Sequence, residues 1–409
     1  MSKPKIRFKG FEDDWEQRKL GELGEIMTGS TPSTSNIEYY SEDGIPWVTP
    51  TDINALTISD TPRKLSEKGM EVGRVVPANT ILCTCIASIG KNVLLTVKGS
   101  FNQQINSLTP SAENDAYFLL TESELWSNKM KRIAASGTMQ IINKTEFSEL
   151  ITLVPSTDEQ KTIGSYFQSL DHLITLHQRK CDETQKLKKF MLQKMFPQNE
   201  QNVPKIRFKG FTDPWEQRKL GELLDFHNGF NGSTDRYGTG IPLISVMDIL
   251  NNDVITSENI RAKAELNETE FQRFKVEYGD VLFQRSSENV EDAGTSNVYM
   301  DKDKSAVFGG FVICGKRKTE YNPLFMKYGL TSKKVRIQIM SKAQGAQHIN
   351  VSQDTLQGIK FFMPSQYEQD EIGAYLFNLD YLITLHQHKC DELQKIKKFM
   401  LQKMFVQEK

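Results

Sequence analysis

The longest apolar pattern along the chain is helical. From about Asp158 to Met195 there is no Gly or Pro except Gly164, and apolar or small residues recur at 3–4 spacing through Ile163, Phe167, Leu170, Ile174, Cys181, Met191 and Met195. A second stretch repeats the pattern through Ile372, Leu376, Leu379, Ile383, Cys390, Leu393, Met400 and Met404. A second seam of Leu173, Leu176, Leu187 and Phe190 widens the apolar face of the first. Thirty-eight residues predict a rod about 57 Å long. One small domain cannot bury such a face, so the expected partner is the copy, packed antiparallel with Ile174 and Ile383 between the two. Elsewhere, short β-branched or aromatic runs at Thr80 to Ala87, Val281 to Gln284 and Ala306 to Ile313 predict strands. Asp13 with Glu16, and Asp213 with Pro214 and Glu216, carry helix-start chemistry.

The chain is internally duplicated. Pro4 to Leu23 recurs at Pro204 to Leu223 with 18 of 20 positions identical, and Asp171 to Phe196 recurs at Asp380 to Phe405 with 22 of 26. Between these connectors lie long inserts that have drifted apart, sharing traces such as Gly44 to Ile53 with Gly240 to Ile249, and Gln-x-Ile-Asn at Gln140 and at Gln347. Connectors that match around inserts that differ suggest one shared task and two separate ones. The expected fold is α+β: two mixed α/β domains over 1–156 and 204–365, related by a pseudo-twofold, each followed by a long helix, over 157–203 (with a linker) and 366–409.

Composition narrows the class. At 409 residues with 38% hydrophobic and 25% charged, the chain is globular with more than one core. No run approaches the roughly 18 apolar residues of a membrane span, and the start MSKPKIRFKG lacks a signal peptide's apolar stretch, so a cytoplasmic protein without membrane attachment is expected. Five Cys without framework spacing suggest reduced thiols. A net charge of −1 excludes binding nucleic acid by bulk charge, so any such surface has to be local.

Catalytic and metal signatures are missing. Gly310-x-x-x-x-Gly315-Lys316 mimics a phosphate loop, but Arg317 stands where Ser or Thr is needed, and the segment reads as a strand. Cys83-x-Cys85 falls on one face of an apolar strand, a core pattern; His177/Cys181 and His386/Cys390 fit a polar layer that fixes helix register better than a metal site.

The charge map points to nucleic acid. Trp126 to Thr145 contains no acid and four bases, Lys129, Lys131, Arg132 and Lys144. Tyr321 to Ser352 contains no acid and five, Lys327, Lys333, Lys334, Arg336 and Lys342. Each stretch runs into a polar turn, one with Thr138 and Gln140, the other with Gln344, Gln347 and His348. Cations to hold phosphate, beside amide side chains able to enter a groove, are the division of labour of DNA readers. Arg285, in a polar turn after an apolar strand, joins the candidates.

The duplicated order of WEQRKLGEL, an insert closing on Gly and Gln-x-Ile-Asn, then Pro155-x-x-x-x-Gln160 or Pro364-x-x-x-x-Gln369 leading into the long helix, resembles the specificity subunit of type I restriction-modification enzymes over the whole chain. The resemblance implies that the inserts are target recognition domains, each reading half of a split double-stranded DNA sequence. It also implies that the helices form an antiparallel coiled coil that sets the spacing and docks two methyltransferase subunits, with restriction-translocase subunits joining. Such a chain is non-catalytic and holds no cofactor, S-adenosylmethionine, ATP and Mg belonging to its partners. The other readings are a coiled-coil scaffold with two protein-binding domains, and a fused restriction or methylation enzyme. The second lacks both an N-P-P-Y/F-like motif and a nuclease carboxylate cluster.

Overall fold

The computed structural model describes residues 3–136, 141–198, 201–345 and 348–406. Two compact units cut across chain order: Met1–His177 with His388–Lys409, and Gln178–Gln387. Each holds one insert, the start of one long helix and the end of the other.

The long helices run over Thr157–Lys194 and Gln366–Met404, close to their expected bounds. In the first unit Asp171 pairs with Lys397 at 2.8 Å. In the second, Asp380 pairs with Lys188, the same contact with the helices exchanged. The start of each helix thus meets the end of the other, and the two run antiparallel. Each Asp also accepts a hydroxyl from its insert, Tyr117 at 3.0 Å and Tyr328 at 2.6 Å. The apolar seam is narrower than its pattern. Cys181 and Cys390 are buried, but Ile174 and Ile383 are only half-buried. Leu173, Leu187 and Phe190 are exposed, as are their counterparts Leu382, Ile396 and Phe399.

The connectors match because they pack on one another. Arg7 clasps the buried Glu159 at 2.6 and 2.7 Å, and Arg207 clasps Glu368 at the same distances, so each N-terminal connector grips the start of the helix that follows its insert. The same connector binds the end of the other helix: the Lys5 and Ile6 N–H groups donate to the Lys403 carbonyl, and Ile206 N–H donates to that of Lys194. Trp15 meets Phe405 edge-on, as Trp215 meets Phe196. Buried Gln160 explains its motif: it donates to Pro155 O and accepts from Asp115 N–H, both at 3.0 Å, as Gln369 does with Pro364 and Asn322. Gly164 and Gly373 let the helix pass close to the insert; a Cβ on Gly373 would lie 2.8 Å from Asn322 Oδ1.

The helix expected at Asp13 and Asp213 does not form. Glu16–Lys19 and Glu216–Lys219 are strands, paired with Ile151–Val154 and Lys360–Met363, and one helical turn follows at Leu20–Leu23 and Leu220–Leu223. Pairing across the insert overrides the local start signal.

In the first insert one sheet has the order Gly24–Thr28, Ile105–Pro110, Thr80–Thr84, Asn92–Leu95, Thr57–Ile58. Another has Lys64–Leu65, Tyr40–Val48, Gly99–Phe101, Val75–Val76. Thr80–Thr84 is buried throughout because its faces serve two cores: Ile81 and Cys83 join Trp126 and Phe167, while Leu82 joins Val48 and Phe101. The second insert repeats the plan with Leu224–Asn228, Val312–Arg317, Val281–Gln284, Ser296–Val298 in one sheet, and Ala262–Ala264, Tyr237–Ile244, Ala306–Phe308, Lys275–Val276 in the other. The run expected as one strand from Ala306 is two, broken by a Gly309-Gly310-Phe311 turn.

Candidate nucleic-acid interface

In each insert three segments meet at the end of one central strand. Cys85 N–H donates to Gln104 O at 2.8 Å, and Ile142 N–H donates to Cys85 O at 3.0 Å. The second insert repeats this with Arg285 N–H to Phe311 O and Val351 N–H to Arg285 O, both 2.9 Å. Position 85 therefore corresponds to 285, 104 to 311 and 142 to 351. The Gln-x-Ile-Asn match is two residues out of this register. Asn143 caps the Lys144–Ser148 helix, accepting from Glu146 N–H at 2.9 Å, whereas Ser352 caps Gln353–Gln357. Asn350 is thereby left exposed in the turn.

Around Arg285 lies a groove of about 390 Å³ lined by Lys342, Gln344, Asn350, Gln353 and Asp354. Gln344 and Asn350 exchange backbone hydrogen bonds at 3.1 and 2.7 Å, which closes the turn carrying exposed His348. Gly345 at φ +136° makes that turn possible, since a Cβ there would strike the His348 carbonyl. In the first insert a hollow of about 400 Å³ brings Lys91 beside Lys131, along Ala87, which holds φ +63°.

The other candidate cations separate into two kinds. Lys131 and Arg132, on the Ala116–Ser136 helix, are exposed, as is Lys144. Lys129 is half-buried and donates to Ile151 O at 2.6 Å. Arg336 is tied into the fold, donating through Nη2 to Glu291 O at 2.7 Å and Ala293 O at 2.8 Å, and burial pushes its guanidinium pKa down. Lys334 lies 4.2 Å from the centre of the Phe362 ring. Lys333 is exposed in a cleft with Lys188 and Lys189, on the long-helix side rather than in the groove. Thr138, Gln140 and Gln347 lie outside the described residues.

Sequence reasoning missed Lys91, Asn350 and the Gln103-Gln104 and Gly310-Phe311 turns. The Gly-Gly pair was a legible turn signal, but its place beside Arg285 depends on pairing across the sheet. No group of three or more potential metal ligands occurs among the described residues.

The family profile of the type I restriction modification DNA specificity domain matches residues 12–186 and 212–395. Similar proteins include the type I restriction enzyme MjaIX specificity subunit of Methanocaldococcus jannaschii, 26% identical over 299 residues and covering 68% of each chain. The MjaVIII specificity subunit of the same organism is 20% identical over 395 residues, 94% of this chain and 91% of that one. The type I restriction-modification S subunit from M. genitalium has the same fold over 100% of both chains, with a TM-score of 0.62 at 15% identity. Two profile matches, one on each copy of the repeat, cover most of the sequence, and the chain belongs to the type I restriction-modification specificity family.

Proposed function

We propose that this chain is the DNA-reading subunit of a type I restriction-modification complex, with recognition domains at 1–156 and 204–365 each reading one half of a split double-stranded target. The observation that carries the reading is a contrast between frame and tip. The clasp, the tryptophan and the Asp–Tyr–Lys contact recur in both units, while the equivalent tip positions differ: Cys85 against Arg285, Gln104 against Phe311, Ile141 against Asn350. A frame that stays constant while its tips vary suits a protein that meets identical partners and two different base sequences.

Lys131, Arg132, Lys144 and Lys342 are exposed cations placed to hold phosphates, and Arg285, Gln344, Asn350 and His348 line or flank the groove that would meet base edges. Each unit also exposes one matching apolar set on its helices, Leu173, Ile396 and Phe399 in one and Leu382, Leu187 and Phe190 in the other. Two equal sets suit two copies of one partner, the methyltransferase subunit, with restriction-translocase subunits completing the complex. The chain contributes no catalytic group; S-adenosylmethionine, ATP and Mg act on the partners. No described helix is long and apolar enough to cross a membrane, and the complex works in the cytoplasm.

The test is co-expression with the methyltransferase subunit, purification, and mapping of methylated bases. A split target with two defined halves supports the reading. A complex that neither binds duplex DNA at low salt nor directs methylation overturns it.

A further inference from the structure

An exposed phenyl group stands beside Arg285, where the central strand of the second insert ends. Phe311 is 71% exposed. Its carbonyl accepts the Arg285 N–H at 2.9 Å, and the Arg285 guanidinium lies 3.4 Å from Gly310 O, so aromatic ring and cation rise from adjacent strands. The turn is braced: Val312 N–H donates to Gly309 O at 2.9 Å and Phe230 N–H to Phe308 O at 2.8 Å, and a Cβ on Gly310 would lie 2.7 Å from Asn231 Oδ1. The ring is therefore presented on a fixed support. Its counterpart in the first insert, Gln104, is half-buried and accepts from Asn102 Nδ2 at 3.1 Å.

We propose that Phe311 reads a base by apolar contact with the 5-methyl group of a thymine, in the major groove of the half-site read by the second insert. The bidentate contact of arginine with guanine O6 and N7 is made in the major groove, and the thymine methyl is the apolar group displayed there, so a ring beside an exposed arginine suits that groove. Ring and cation on adjacent strands would address neighbouring base pairs. The first insert, with Gln104 and Cys85 at these positions, cannot read its half-site in this way. The inference rests on the proposed DNA-reading function and adds the chemical feature recognised.

The test uses the complete methyltransferase complex and its mapped target. Each thymine of the second half-site is replaced in turn by deoxyuridine, which removes only the methyl group. One replacement should weaken binding about fourfold, the value of one buried methyl-sized group. Phe311→Ala should weaken binding to the thymine duplex and abolish that sensitivity; Phe311→Leu should keep part of it. Replacements in the first half-site should behave alike with wild type and with Phe311→Ala. A flat deoxyuridine series with wild-type protein that still binds its split target overturns the Phe311 assignment alone, and needs no variant to fold. So does sensitivity that persists in Phe311→Ala, or 2-aminopurine unstacking without deoxyuridine sensitivity, which would make the ring a wedge. Absence of any split target overturns the DNA-reading function itself.

Discussion

The Asp–Tyr–Lys contact joins insert to helices in each unit, and Lys397→Met isolates its value. Lys397 Nζ lies 2.8 Å from Asp171, with side chains 14% and 9% exposed, and 3.5 Å from Glu124. Removing one partner of a buried pair costs about 3–5 kcal/mol, because the other charge is left desolvated. The Tyr117 hydroxyl remains on Asp171, so the lower end applies, about 3 kcal/mol. For a unit near 200 residues that lowers the melting temperature by roughly 6–12 °C. Asp171→Asn added to Lys397→Met removes the stranded charge, so the double variant should lose less than the two single losses added together. Calorimetry on wild type, both single variants and the double variant measures this coupling. A Lys397→Met protein within about 0.5 kcal/mol of wild type, or strictly additive losses, would refute a buried pair acting as the joint.

Three further outcomes follow. Burial lifts the Glu122 carboxyl to about 8, so the folded chain keeps a proton that the unfolded chain releases near 4.5. Its contribution is full below about pH 4.5 and is lost towards pH 8 at about 1 kcal/mol per pH unit; Glu122→Gln should flatten that slope, as thermal melts from pH 5 to 8 would record. Arg336→Ala should lower stability by about 1–3 kcal/mol through its lost carbonyl bonds, whereas Lys131→Ala and Arg132→Ala should leave stability unchanged and each flatten the salt dependence of DNA binding by about one unit, read by titration at two salt concentrations. Phe190→Ser with Phe399→Ser should leave the fold intact, since both rings are exposed, but native mass spectrometry should find the methyltransferase subunits lost; retention of both would place docking elsewhere.

The sequence made the frame legible because its signals are local and repeated. The helical period set Thr157–Lys194 to within a residue, and the duplication disclosed the connectors before any contact was known. What stayed hidden depends on partners distant in the chain. Asp13 and Glu16 carry helix-start chemistry, yet Glu16–Lys19 pairs as a strand with Ile151–Val154, more than a hundred residues later. Arg336 and Lys131 look alike as cations in acid-free stretches, but one is bonded to carbonyls of the Glu291–Ala293 loop and the other faces solvent. Apolar spacing marked Phe190 as seam, whereas the antiparallel crossing leaves it outside. Arg285 was legible as a polar residue after an apolar strand, but its groove is assembled by Gln344 and Asn350 from the far end of the insert.

The most direct test is to replace residues 24–154 with the corresponding insert of a specificity subunit of different target, keeping both connectors and both long helices. The complex should then methylate a target whose first half-site is new, while the other half and the spacer between them are unchanged. A map in which both halves change, or neither does, would contradict the assignment of one insert to each half of the target.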